Sequence, residues 1–165
     1  MADLVVTITE SVTLNGAARG SSNALTVSGV NDIVHRIVTC PDDVPLKLAT
    51  FKSTVGAAVA ENLMDIDLVK YIRVTNLDTT NPVVLNLAID IGDGTDGDDG
   101  AATIGVSIEV EAGKSFIMGS PHSSILADDD AATKNVSNVA LMDLRSIHVD
   151  PVSEAVKVEV FIASA

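Results

Sequence analysis

The sequence predicts an all-β protein, an antiparallel β-sandwich with the jelly roll among its forms and long polar loops between the strands. Period-two alternation of apolar and polar residues recurs in many separate segments, and that period places one face of a strand on a core. The segments are divided by short breaks rich in Pro, Asp, Asn and Gly, the residues that turns require. One-sided alternation over so many strands needs two sheets packed face to face, or one sheet closed on itself.

The elements follow in order. Leu4, Val6 and Ile8 alternate with Val5, Thr7 and Thr9, and the phase continues to Val12 and Leu14. "NGAARGSSNA" (15–24) reads as a polar loop of small residues whose only charge is Arg19. "DIVHRIVTC" (32–40) and "PLKLATF" (45–51) are strands separated by the turn "PDDVP". "VGAAVAENLMDIDLV" (55–69) has the Ala-rich composition of a short helix. "KYIRVTN" (70–76) sets Ile72 and Val74 on one face, and "PVVLNLAIDI" (82–91) does the same with Val83, Leu85, Leu87, Ile89 and Ile91. "TIGVSIEVE" (103–111) aligns Ile104, Val106, Ile108 and Val110; "KSFIMG" (114–119), "LRSIHV" (144–149) and "AVKVEVFIAS" (155–164) complete the set. "LDTTNP", "EAG" and "DPVSE" have the length of hairpin turns, so residues 69–119 read as two hairpins joined by an acidic loop. "GSPHSSILADDDAATKNVSN" (119–138) shows no sustained period and reads as a long excursion from the sandwich.

Composition narrows the functions. The 165 residues suit one domain, 1–165, large enough to enclose a core without disulfide or zinc support. With no Trp, one Tyr and three Phe, that core is aliphatic. A formal charge of −13 repels nucleic-acid backbones and anionic lipid, so neither nucleic acid nor membrane is an expected partner. "MADLVVTITE" places acids where a secretory signal carries positive charge, and no apolar run approaches the roughly 20 residues of a membrane span. Synthesis and folding in the cytoplasm are therefore expected.

The one segment with metal-binding composition is "DIGDGTDGDDGAA" (90–102). Calcium takes six to eight oxygen ligands on backbone that glycine lets turn sharply, and Asp90, Asp93, Asp96, Asp98 and Asp99 are the candidate ligands. The spacing departs from the EF-hand and from the glycine-rich nonapeptide repeat, so a solvated acidic turn is the favoured reading. The same holds for Asp128, Asp129 and Asp130. No other cofactor is expected. His35 and His148 lie within strand patterns, His122 sits between serines in a loop, and Cys40 ends a strand before Pro41. No nucleophile elbow, phosphate loop or zinc spacing accompanies them, so a non-enzymatic role is expected.

"KYIRVTNLDTTNPVVLNLAID" followed by "VEAGKSFIMG" resembles a pattern of small structural proteins of tailed bacteriophage particles, in which a Y-I-R-V-x-N strand precedes a short turn, an aliphatic strand and an A-G-x-S-F segment. The likeness covers mainly 70–119, with an echo in "VKVEVFIAS". It implies a virion component, and size and charge favour a capsid decoration (cement) protein on the outer capsid surface. Such proteins form trimers or dimers and bridge copies of the major capsid protein. Tail-tube, tail-completion and fibre or knob roles are the alternatives within the resemblance. Outside it stands a calcium-dependent module for glycan or host surfaces, disfavoured by the shortage of aromatic rings to stack on sugars. Apolar ends such as "LVVTIT" and "VEVFIAS" are either internal strands or strands offered to a neighbour's sheet edge.

Overall fold

The computed structural model describes residues 1–42, 44–52, 63–90, 103–119, 121 and 143–165. Its elements are β1 (Ala2–Thr9), β2 (Val12–Leu14), β3 (Ala17–Arg19), β4 (Ser22–Val30), β5 (Asp32–Cys40), β6 (Leu46–Lys52), β7 (Leu63–Asp65), β8 (Val69–Asn76), β9 (Val83–Asp90), β10 (Thr103–Val110), β11 (Ser115–Met118), β12 (Leu144–Pro151) and β13 (Val156–Ser164). The expected helix over 55–69 is not seen in its described part, where Leu63–Asp65 is a strand and Ile66–Leu68 a single 3-10 turn capped by Asp65. Ile66 is buried there, so packing overrides the helical composition of the segment.

Two sheets form the body, in the orders β10-β9-β12-β6-β7 and β11-β8-β13-β5. Without the short parallel β7, eight antiparallel strands remain. The first pairs with the last (β5 with β13), the second with the seventh (β6 with β12), the third with the sixth (β8 with β11), and the fourth with the fifth (β9 with β10). Rolling that long double ribbon adds the pairs β13 with β8 and β12 with β9. This is the jelly-roll form of the sandwich.

The expected alternation is met in the core. Ile72 and Val74 on β8, Val83, Leu85, Leu87 and Ile89 on β9, and Val156, Val158, Val160 and Ile162 on β13 are all buried. "VEVFIAS" is thus an internal strand, held between β8 and β5. Each fully enclosed aliphatic side chain contributes about 1.5–3 kcal/mol relative to exposure. Arg36, on β5, donates from its guanidinium to the Leu48 carbonyl of β6 and bridges the two sheets at one side.

The three short breaks differ from expectation. β8 and β9, β10 and β11, and β12 and β13 lie in different sheets, so "LDTTNP", "EAG" and "DPVSE" are corners that carry the chain from one sheet to the other. The acidic segment joins β9 to β10 within one hairpin, Asp90 opposite Thr103. A turn of a few residues serves a hairpin or a corner equally well, and only the pairing partner differs.

Asn76 locks these corners. It is completely buried. Its Nδ2 donates to the carbonyls of Asn81 (2.9 Å) and Val110 (3.1 Å), and its Oδ1 accepts from the Asp78 amide (2.9 Å). The amide of Asn76 reaches Lys114 O and that of Leu77 reaches Lys157 O, both at 2.9 Å. One asparagine therefore ties the first corner to the second, and the neighbouring backbone ties it to the third.

Residues 1–30 stand apart from the roll. β1 pairs with β4 and β2 with β3 in one continuous register, from Leu4 opposite Val27 to Leu14 opposite Ala17. The tip is Asn15–Gly16, with φ of 52° and 77°, the left-handed pair of a two-residue type I′ turn. The polar loop expected over 15–24 is therefore the return strand of a hairpin.

Candidate functional site

Among the described residues, the hairpin of residues 1–30 meets the roll through its root. Asn31 N–H bonds to Ser164 O at 2.9 Å, and Val27 and Val30, with Leu4 and Val6, pack on Tyr71, Phe161 and Ala163. Those three residues lie on the outward face of the four-stranded sheet, opposite Ile72, Val160 and Ile162. A methyl added to Gly119 would lie 4.0 Å from Leu25 Cδ2, which places this part of the hairpin beside the end of β11. Beyond that point Ile8 is 50% exposed, Leu25 49%, Val12 56% and Leu14 61%. All four have the register parity of the half-buried Leu4 and the buried Val27, so apolar side chains that start under the root continue into solvent on one face, where Glu10, Arg19, Ser21 and Asn23 alternate with them. The hairpin is an arm.

Gly20 keeps the arm regular where the strands approach most closely. A Cβ there would fall 2.1 Å from the Glu10 carbonyl oxygen, an impossible separation. Glu10 N–H bonds to Ser21 O at 2.8 Å and Glu10 Oε2 accepts from Ser21 Oγ at 3.1 Å.

The arm root leaves the rest of the outward face open. Glu159 sits at its centre, accepting from Arg73 NH2 at Oε2 (2.7 Å) and meeting His35 Nε2 at Oε1 (2.7 Å). The Arg73 guanidinium lies 5.8 Å from the Phe161 ring centroid, and the His35 ring lies 5.7 Å from it. Tyr71 meets the same ring edge-on at 6.1 Å. Burial raises the Tyr71 pKa, partly offset by the Arg73 charge, so its hydroxyl stays protonated. Around this cluster stand Ile33 (51% exposed), Ile37 (59%) and Ile117 (42%). Exposed ion pairs contribute at most about 1 kcal/mol; here the cluster orients Phe161 and Arg73 within an apolar rim.

The residues singled out from sequence are scattered. Asp90 closes β9, whereas Asp93, Asp96, Asp98 and Asp99 lie outside the described residues, as do His122 and Asp128, Asp129 and Asp130. Among the described residues no group of three or more His, Cys, Asp and Glu is placed to hold a metal ion. His35 and His148 are in different sheets. His148 Nε2 lies 3.3 Å from Ser146 Oγ, and its pKa is lowered by burial and then by the charge of Lys47. Cys40 is fully buried, and burial pushes its thiol up to about 11; it is a packed core side chain. The arm escaped the sequence reading although its signal was present: Asn-Gly between alternating apolar runs is the strongest short-range mark of a hairpin.

Compared with protein-family models, with curated proteins and with solved structures, the chain matches none.

Proposed function

We propose that this protein is a non-enzymatic virion structural protein, a decoration (cement) protein that binds the outer surface of a tailed-phage capsid and stabilises the head. The observation that carries the reading is the arm: a β-ribbon with a packed root and, beyond it, exposed Ile8, Val12 and Leu14 on the same face, parted by Glu10. Monomeric proteins seldom leave such faces open, and those that do use them for association. The jelly-roll body agrees with it, since capsid proteins are prominent among jelly rolls, although a fold by itself names no function.

The residues of the phage-like pattern have a mechanical part in this reading. Tyr71, Ile72, Arg73, Val74 and Asn76 form β8 and the first corner, and "VEAGKSFIMG" turns the second. They build a rigid body from which contacts are presented. On a symmetric capsid many modest contacts act together, so each copy clamps adjacent capsomers without any one strong site. The major capsid protein is the partner this requires.

The test is co-sedimentation of the purified chain with emptied heads of the source phage, followed by cryo-electron microscopy of the pellet. Saturable binding at fixed lattice positions, with a higher temperature of head disruption, is expected. Absence of head binding with assembly of the free protein into rings or tubes would move the assignment to the tail. Glycan binding abolished by chelator would replace it with a calcium-dependent surface module.

A further inference from the structure

We infer that the exposed half of the arm docks on a second copy of this same chain, against the outward face of the four-stranded sheet around Ile33, Ile37, Ile117 and Phe161. This rests on the assembly reading above and names the first partner in that assembly.

Three observations select a second copy. The first is chemistry already present within one chain, where Leu4, Val6, Val27 and Val30 pack on Tyr71, Phe161 and Ala163 of that face. The distal residues Ile8, Leu25, Val12 and Leu14 lie farther along the same side of the ribbon, with Glu10 and the Arg19 side chain between them, and Ile33, Ile37 and Ile117 extend the same face. Each copy thus displays both an arm that lacks a floor and a floor that its own root only half covers.

The second is charge. Asp3, Glu10 and Arg19 are the only charged side chains in residues 1–30, a net of −1, whereas the whole chain carries −13. Two such molecules repel at long range. The arm approaches another copy with little penalty, and at the centre of the face it meets Arg73 already compensates the Glu159 charge.

The third is area. The exposed parts of the four arm residues and the three isoleucines amount to roughly 700 Å², below the roughly 1,200 Å² at which specific interfaces begin. One arm on one face therefore falls short. When every copy gives one arm and receives one, each is held by two such contacts, about 1,400 Å² in all, which is within the range of stable complexes. Closure into a reciprocal dimer, in which both contacts fall between the same two copies, follows from this arithmetic. From Ile8 to Leu14 the ribbon spans about 20 Å at about 3.4 Å per residue, long enough to cross the four strands of a neighbour's sheet.

The experiment is sedimentation equilibrium of the full chain, with Leu14→Glu, Ile37→Glu and a cysteine pair as variants. Leu14 and Ile37 are exposed, so both glutamate variants should keep the wild-type melting temperature in dilute solution while self-association weakens tenfold or more. A mixture of Leu14→Cys and Ile37→Cys chains should form one disulfide-linked species under mild oxidation, with Cys40 inaccessible in the core. A wild-type chain that stays monomeric at high concentration overturns the inference, as does an oligomer indifferent to both glutamates. Head binding by a monomer would sink the arm exchange and leave the capsid reading. Arm-dependent oligomers that ignore heads would do the reverse.

Discussion

Replacing Asn76 with Ala is expected to cost far more than a surface asparagine. The side chain is fully buried and makes three hydrogen bonds, to Asn81 O, Val110 O and Asp78 N–H. Alanine leaves all three partners unpaired. A buried group without its partner costs about 1–3 kcal/mol; Val110 O bears this in full, whereas Asn81 and Asp78 lie nearer water and recover part of it. The total is about 2–4 kcal/mol. For a domain of this size each kcal/mol lowers the melting midpoint by about 2–4 °C, so a fall on the order of 10 °C is expected. Urea unfolding followed by circular dichroism measures the free energy, and calorimetry the midpoint. Asn76→Asp adds a pH signature. Its carboxylate would face the Asn81 and Val110 carbonyls, which raises its folded pKa above the usual carboxylate value, so this variant should be weakest at neutral pH and gain stability as acid protonates it. An Asn76→Ala chain within 0.5 kcal/mol of wild type would refute the claim that this residue locks the corners.

The remaining expectations are narrower. Gly20→Ala should break the arm register without disturbing the core, seen as amide shift changes confined to residues 1–30 with the melting midpoint unchanged; shifts spread through β8 and β13 would contradict the arm's independence. Cys40 should resist a thiol reagent at pH 8 in the folded chain and react at once in denaturant, because its thiol is buried and its pKa is pushed to about 11; fast labelling of native protein would refute its placement. His148 has a lowered folded pKa, so the unfolded chain takes up its proton first as pH falls. The stability it contributes is present above its ordinary value near 6.5 and is lost as pH drops through the folded pKa; His148→Gln should flatten that limb of the stability profile, and an identical profile would exclude the role. For the acidic segment, Asp96, Asp98 and Asp99 replaced by Asn should leave melting in calcium and in chelator the same as wild type if it is a solvated turn, whereas loss of a calcium-dependent rise would establish the metal site.

Much of the body was legible because period-two alternation is a direct consequence of burying one face of a strand. Ile72, Val74, Val83, Leu85 and Leu87 lie on the buried face that their alternation marks. Pairing was less so: "LDTTNP" has the chemistry of a hairpin turn, and its role as a corner depends on Asn76 finding Val110, 34 positions away. Such a contact leaves no local trace. The arm is the opposite case, since Asn15–Gly16 is a local turn signal, although the small polar residues that follow it read as a loop. Composition there reports exposure, and the return strand is indeed exposed. The interaction face could not be read at all, because Ile33, Ile37, Ile117, Phe161, Arg73 and Glu159 come from four segments that meet only through the roll.

The connections 77–82, 111–114 and 152–155 and the end of β5 at Cys40 sit at one end of the roll, because Cys40 pairs with Val156, Asn76 with Val158, Val83 with Pro151 and Val110 with Val83. The strand termini Lys52, Asp90, Thr103, Met118 and Leu144 lie toward the other. The molecule is therefore polarised for engineering and for evolution alike. At one end the corners 77–82, 111–114 and 152–155 are bonded to one another, so a change of length there breaks those bonds. At the other, sequence added between Asp90 and Thr103 extends a hairpin whose ladder is already complete, so a foreign peptide spliced there would be carried as cargo while the jelly roll folds as before.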